Sequence, residues 1–147
     1  MTDPTRTSRP SSPLATALEH VGDRWSLLVV EALLDGPRRF RELADAIPGL
    51  APNILTDRLR RLERDGIVRS TPYSQRPPRL DYSLTADGSD LASALRLLAD
   101  WGAHRGTSGG HEPLSHSRCG TPLEARWYCP TCAVSVGDRE TSEERTV

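Results

Sequence analysis

The sequence has no lysine, few aromatic residues and no long apolar run. All 19 basic residues are arginines, and aromatic side chains make up 5% of the chain. A core must therefore be built from Leu, Ile, Val and Ala, a composition that favours helices. The longest apolar run, residues 27–30, is far shorter than the roughly 20 residues of a membrane span, and the N-terminus lacks a signal pattern. The sequence predicts a cytoplasmic protein of one ordinary domain with a small appendage.

Cysteine is also scarce, and its three positions are clustered. An odd number of cysteines cannot pair completely within one chain. In a reducing compartment such a cluster favours a metal-binding site over a disulfide. Two residues separate His116 from Cys119, and two separate Cys129 from Cys132, which is zinc-knuckle spacing. The pattern predicts one structural Zn²⁺ held by these four residues, with a short hairpin at residues 123–128 between the two pairs. The alternative is a reactive dithiol at Cys129 and Cys132 with an incidental His116.

Acidic residues are outnumbered in one part of the chain. The formal net charge is −1, yet residues 38–79 hold ten arginines against five acidic residues. A chain with this net charge is not expected to bind polyanions indiscriminately, because acidic residues in the flanking segments offset the local surplus of arginine. The distribution instead predicts a local basic surface.

Apolar spacing predicts four helices, a β-hairpin and a long fifth helix. Apolar residues recur every three or four positions in each helix, and Gly or Pro residues separate the elements. Two strand patterns flank a polar link that contains two prolines. The predicted helices cover residues 14–21, 24–34, 40–47, 51–65 and 85–104, and the predicted strands cover 67–73 and 80–84. This order is typical of a winged helix-turn-helix, so the predicted fold class is mostly α with a small β-hairpin wing.

Composition divides the chain into five segments. A winged-helix domain is predicted for residues 13–104, and a small zinc-ribbon-like segment for residues 114–136. A Gly/Ser-rich linker at residues 105–113 joins them. The polar segments 1–12 and 137–147 are predicted to be disordered because they contain too little apolar surface to fold.

The predicted DNA-reading surface lies on the fourth helix, about residues 51–65. Its apolar residues share one face, and the opposite face is polar and basic. Such a helix can enter the major groove while the basic loop of the wing, about residues 74–79, reaches the backbone or minor groove. The alternative is that these arginines solvate the surface or pair with neighbouring carboxylates. The predicted base contacts are Asn53, Thr56, Asp57 and Arg58; the predicted phosphate contacts are Arg60, Arg61, Arg76 and Arg79, with Arg39 and Arg41 at the start of the third helix.

Five stretches of the chain carry a resemblance to a known family: LEHVGDRWSLL (18–28), LDGPRRFREL (34–43), IPGLAPNILTDRL (47–59), LERDGIV (62–68) and PPRLDYSLTADG (77–88). With them, residues 12–103 resemble the HxlR-type regulators, a winged helix-turn-helix family within the MarR-like superfamily. The resemblance implies a homodimeric transcriptional regulator, expected to be a repressor, with dimer contacts from the first and last helices and DNA reading by the fourth. Similar proteins often carry a Cys-Pro pair before the first helix, whereas this chain has Ser12-Pro13, which excludes thiol sensing there.

Two other function classes stay open at this point. One is a redox protein that uses the dithiol of Cys129 and Cys132, and the other is a protein-interaction module on a winged-helix scaffold. The sequence has no Ser/His/Asp arrangement, no glycine-rich phosphate loop and no evident pair of catalytic carboxylates, so it does not predict an enzyme. The arginine surplus on the elements that would face DNA favours the regulator over the interaction module.

Overall fold

The computed structural model describes residues 12–105 and 113–137. Contacts between residues divide the chain into two units, residues 1–96 and 97–147. The predicted N-terminal arm up to residue 11, the predicted linker at 106–112 and the predicted tail from residue 138 lie outside the described residues. Within the described part, no helix has the length and apolar character needed to cross a bilayer.

The order of elements confirms the predicted winged helix-turn-helix. Four helices precede a β-hairpin, and a long helix follows it, as the apolar spacing indicates. The helices are α1 (Pro13–Val21), α2 (Arg24–Ala32), α3 (Phe40–Ala46), α4 (Pro52–Arg64) and α5 (Ala86–Arg105); the strands are β1 (Arg38–Arg39), β2 (Val68–Gln75), β3 (Pro78–Leu84), β4 (Trp127–Cys129) and β5 (Val134–Val136).

Local side chains explain where the helices begin. The hydroxyl of Ser12 accepts a hydrogen bond from the backbone N–H of Ala15 at 3.1 Å and so caps α1. Asp23 caps α2 in the same way. α4 begins at Pro52, where the missing N–H removes no helical hydrogen bond. The turn before it contains Gly49 with φ +81, a conformation that glycine adopts without strain.

The wing is a three-stranded antiparallel sheet in the order β1-β3-β2. The sequence predicts only two of these strands, because β1 has just two residues and is too short to show an alternation of apolar and polar side chains. β2 and β3 are also longer than predicted, since they pair as far as Gln75 with Pro78. The predicted polar link of the wing therefore shortens to Arg76 and Pro77.

The core of the first unit lies beneath α4. Leu55, Leu59 and Leu62 are buried along one side of this helix, as predicted, and Ile54 is half-buried. They pack in a cluster of buried residues contributed by every helix of the unit and by β2. The other members of the cluster are Val21, Val29, Val30, Leu33, Leu43, Ile47, Leu50, Ile67, Val68 and Leu95.

The cysteine segment of the second unit folds as two short turns. An isolated bridge between Ser115 and Pro122 closes the first turn, and the antiparallel pair β4-β5 encloses the second. The hairpin predicted at residues 123–128 is wrong: residues 123–126 are not in strands, and β4 pairs with β5 instead. Each turn instead encloses one of the two pairs of predicted metal ligands, rather than lying between the pairs.

Candidate nucleic-acid interface

The outward face of α4 is a stripe of four exposed side chains. Asn53, Asp57, Arg60 and Arg64 are exposed and follow one another at intervals of three or four residues, so they share a side of the helix. The leucines of the core lie on the other side. Among the residues that the structure describes, Arg60 and Arg64 form no ion pair. We name these four residues the outer stripe. Arg64 is a candidate contact that the predicted list omits, although the helical spacing from Asn53 points to it.

Arg58 does not belong to the outer stripe, because its side chain bonds to Asp23, the N-cap residue of α2. Its Nε donates a hydrogen bond to the carboxylate of Asp23 at 3.0 Å, and its Nη1 lies 2.6 Å from the carboxylate of Asp57. The side chain is only 24% exposed. Arg58, which is predicted to contact bases, therefore lies between α4 and the N-terminus of α2.

Asp23 is the centre of this contact. Burial opposes its ionisation, but hydrogen bonds from Ser26 and the charge and hydrogen bond of Arg58 outweigh that effect, so the pKa of Asp23 is lowered. Both the hydroxyl and the N–H of Ser26, which is fully buried, donate to this carboxylate. One carboxylate therefore caps α2, satisfies a buried hydroxyl and fixes an arginine of α4.

Arg61 and Thr56 are also occupied within the protein. The guanidinium of Arg61 donates to the backbone carbonyl of Glu19 in α1 and lies 3.9 Å from Asp65. The hydroxyl of Thr56 donates to the carbonyl of Pro52 at 3.0 Å in its own helix. Asp65 also lies 3.5 Å from the imidazole of His20. The contacts of Arg61 with Glu19 and of Asp65 with His20 join the C-terminal end of α4 to α1.

The wing brings further arginines to the surface. Arg76 and Arg79 are exposed beside the turn between β2 and β3. Arg39 stacks over the ring of Tyr73 at 4.3 Å and lies 3.5 Å from the carboxylate of Asp81. A groove of about 600 Å³ runs between the start of α3 and the wing, lined among others by Arg39, Arg41, Arg79 and Tyr73. Three of the predicted phosphate contacts thus meet in one open groove.

The predicted metal ligands occur as two separate pairs. The Nδ1 atom of His116 lies 3.2 Å from the sulfur of Cys119. Hydrogen bonding with Thr121, whose hydroxyl lies 3.2 Å from the sulfur, lowers the pKa of Cys119, and hydrogen bonding with Cys132 and Thr131 lowers that of Cys129. Within the described residues, no three His, Cys, Asp or Glu side chains are gathered closely enough to bind one metal ion.

The hydrogen bond between Arg58 and Asp23 can be tested by mutation. We expect Arg58→Met and Asp23→Asn each to lower the free energy of unfolding by about 1 kcal/mol, because a charged hydrogen bond at a partly exposed site is lost. The double variant should lose less than the sum, since both changes break the same contact. Urea denaturation of the four proteins measures this coupling. Additive losses, together with a DNA-binding salt dependence reduced by about one unit in Arg58→Met, would show instead that Arg58 contacts phosphate.

Comparisons with known proteins agree with this geometry. The family model for the HxlR-like helix-turn-helix matches residues 20–108. The HTH-type transcriptional regulator YdeP of Bacillus subtilis is 38% identical over 90 residues, which cover 61% of this chain and 70% of YdeP. The solved structure of the redox regulator HypR in its reduced form superposes with a TM-score of 0.61 at 35% identity, covering 64% of this chain and 93% of HypR.

Other relatives are similar over more of the chain. The HTH-type transcriptional regulator Rv3095 of Mycobacterium tuberculosis is 36% identical over 130 residues, which cover 87% of this chain and 82% of Rv3095. A match of that length within 147 residues extends past residue 112 into the cysteine segment. The family model covers more than half of the chain, and Rv3095 is covered over more than two thirds of its length. The chain therefore belongs to the HxlR-like helix-turn-helix family of DNA-binding transcriptional regulators.

Proposed function

We propose that this regulator binds operator DNA as a homodimer, with α4 in the major groove and the wing on the backbone or minor groove. The observation that carries the proposal is the division of α4 into a buried leucine face and the exposed outer stripe. A helix whose polar side is exposed and whose apolar side is anchored can present side chains to base edges without disturbing the core.

The positions on the outer stripe suggest separate roles. Asn53 and Asp57 lie nearer the start of α4, the part of a recognition helix that approaches base edges. An asparagine amide can pair with adenine, and a carboxylate can accept a hydrogen bond from cytosine. Arg60 and Arg64 lie further along and suit phosphate contacts or a guanine. The proposed base contact of Thr56 requires its hydroxyl to leave the carbonyl of Pro52.

The wing and the start of α3 are proposed to hold the neighbouring backbone. Arg76 and Arg79 project from the hairpin, and Arg39 and Arg41 line the same groove as Arg79. The aromatic ring of Tyr73 and the carboxylate of Asp81 orient Arg39. A guanidinium fixed in this way loses less conformational freedom when it binds a phosphate.

A homodimer would cover apolar side chains that each protomer leaves exposed. In α1 these are Leu14 and Leu18, and in the C-terminal half of α5 they are Leu97, Leu98 and Trp101. Large apolar side chains exposed on soluble helices commonly mark an association surface. A twofold dimer would present two copies of α4 to a palindromic site. Occupying an operator in this way is the simplest route to repression.

Fluorescence anisotropy of the full chain with DNA from upstream of its own gene tests the proposal. We expect a dimer in sedimentation, saturation at one dimer per site, and binding that weakens steeply between about 50 and 200 mM salt. A scrambled fragment should bind at least about 1,000-fold more weakly. Failure to bind any genomic fragment at low salt would refute DNA binding and favour the interaction module.

A further inference from the structure

We propose that the segment 113–137 is a structural zinc site in which one Zn²⁺ joins two preformed turns through His116, Cys119, Cys129 and Cys132. This inference goes beyond DNA binding and does not rest on it. It stands on the backbone of the two turns, on the lack of any core in the segment and on the chemistry of the four donors.

The first turn is shaped around its two donors. The N–H groups of Cys119 and Gly120 both donate to the carbonyl of His116, at 3.2 and 2.8 Å. This folds the chain back so that the imidazole and thiol of the pair lie side by side, at 3.2 Å. The hydrogen bond from the N–H of Leu123 to the carbonyl of Leu114, at 2.7 Å, closes the base of the turn.

The second turn carries the other two donors. It connects β4 to β5, and the pairing of Cys129 with Val134 closes it. Cys129 therefore begins the turn and Cys132 lies within it, so the turn keeps these two cysteines close together.

In both turns the residue that follows the second donor has a left-handed backbone conformation, with a positive φ. Gly120 follows Cys119 with φ +71, and Ala133 follows Cys132 with φ +55. Ala133 is the single non-glycine residue with positive φ among the described residues. Such a conformation is unfavourable for alanine and persists where the surroundings require it, commonly at functional sites. Two turns of unrelated sequence thus share one unusual backbone feature at the same position relative to their donors.

Nothing apolar holds this segment together. Throughout residues 113–137 every side chain is exposed except Cys129 and Val136, which are half-buried. So small a segment needs a disulfide, a metal or a partner to keep one structure. All three cysteines are free thiols. The large apolar side chains left exposed are Leu114, Leu123, Trp127, Tyr128 and Val134.

The donor set selects the ion and its role. Three thiolates and one imidazole are the ligands of structural zinc, which is tetrahedral and leaves no position for substrate. The two donor pairs are separate among the described residues, so binding of one ion by all four donors would bring the two turns together. Metal binding and ordering of the segment are then one process.

Metal analysis of the full-length protein tests this proposal. We expect about one zinc per chain after purification without added metal, and thiols that react with a disulfide reagent only after a chelator removes the ion. Replacement of the ion by Co²⁺ should give the absorption of a tetrahedral thiolate complex. The Cys129→Ser, Cys132→Ser double variant should lose the zinc, as should Cys119→Ser.

Matched control variants change residues within the same turns that are not donors. Ser117→Ala in the first turn and Thr131→Ala in the second should retain one zinc per chain. Metal-free wild-type protein with three reactive thiols would overturn the proposal, as would a disulfide between Cys129 and Cys132 in mass spectra. Because the readout is metal content, its failure is separate from any failure of DNA binding.

Discussion

The Arg60→Ala, Arg64→Ala double variant should bind operator DNA at least about tenfold more weakly than the wild type. Both side chains are exposed on the outer stripe of α4, and neither forms an ion pair within the described part of the chain. Each arginine that contacts a phosphate releases about one counterion, so the slope of log affinity against log salt should fall by about two units. Fluorescence anisotropy over a series of salt concentrations measures both quantities.

The control for this prediction is an equal change of net charge elsewhere. Arg96 and Arg126 are exposed, and they lie on α5 and in the cysteine segment. Replacing both by alanine should leave the salt slope within about half a unit of the wild-type value. Equal weakening in the two double variants would show that net charge, and not contact by the outer stripe, governs affinity.

Gly88→Ala should destabilise the fold by about 1–3 kcal/mol, although alanine is the better helix former. Gly88 is buried in the first turn of α5, and a Cβ atom there would lie 2.2 Å from the backbone carbonyl oxygen of Ile67. That carbonyl also accepts the N–H of Thr85 at 3.0 Å, so it cannot move away without breaking the start of the helix. Urea denaturation at fixed protein concentration measures the loss.

Gly102→Ala in the same helix is the matched control. Among the described residues, no atom beyond the chain neighbours and the local helix backbone lies within 4 Å of a Cβ built at Gly102. Alanine should therefore stabilise α5 there by up to about 1 kcal/mol, through its better helix propensity. If the two variants changed stability in the same direction, the close approach of Gly88 to Ile67 would not be the cause.

Much of the DNA-binding unit is predictable from the sequence because its signals are local. The spacing of Leu55, Leu59 and Leu62 identifies both the helix and its buried face, and both are confirmed. Asp23 is recognisable as a helix cap from its position before an apolar run, and it caps α2. Caps and helical periodicity depend on residues within a few positions of one another, so they can be read before the chain is folded.

The contacts of the arginines are less predictable because their partners are distant in the chain. Arg58 has the same residue type and a similar position to the arginines of the outer stripe, yet it bonds to Asp23, 35 residues away. β1 is likewise too short to recognise until Arg38 pairs with Tyr82. In each case the deciding partner is brought near by the packing of helices and strands.

The amino-acid order alone determined which segments become helices, which face of α4 is apolar, and which four donors have metal-ligand spacing. The tertiary structure decided which arginines of α4 stay exposed and unpaired among the described residues, where glycine is required in α5, and that the residue after each His/Cys or Cys/Cys pair has a left-handed backbone. The difference is physical. Periodicity and spacing belong to the chain itself, whereas the freedom of a side chain depends on every surface that folding brings against it.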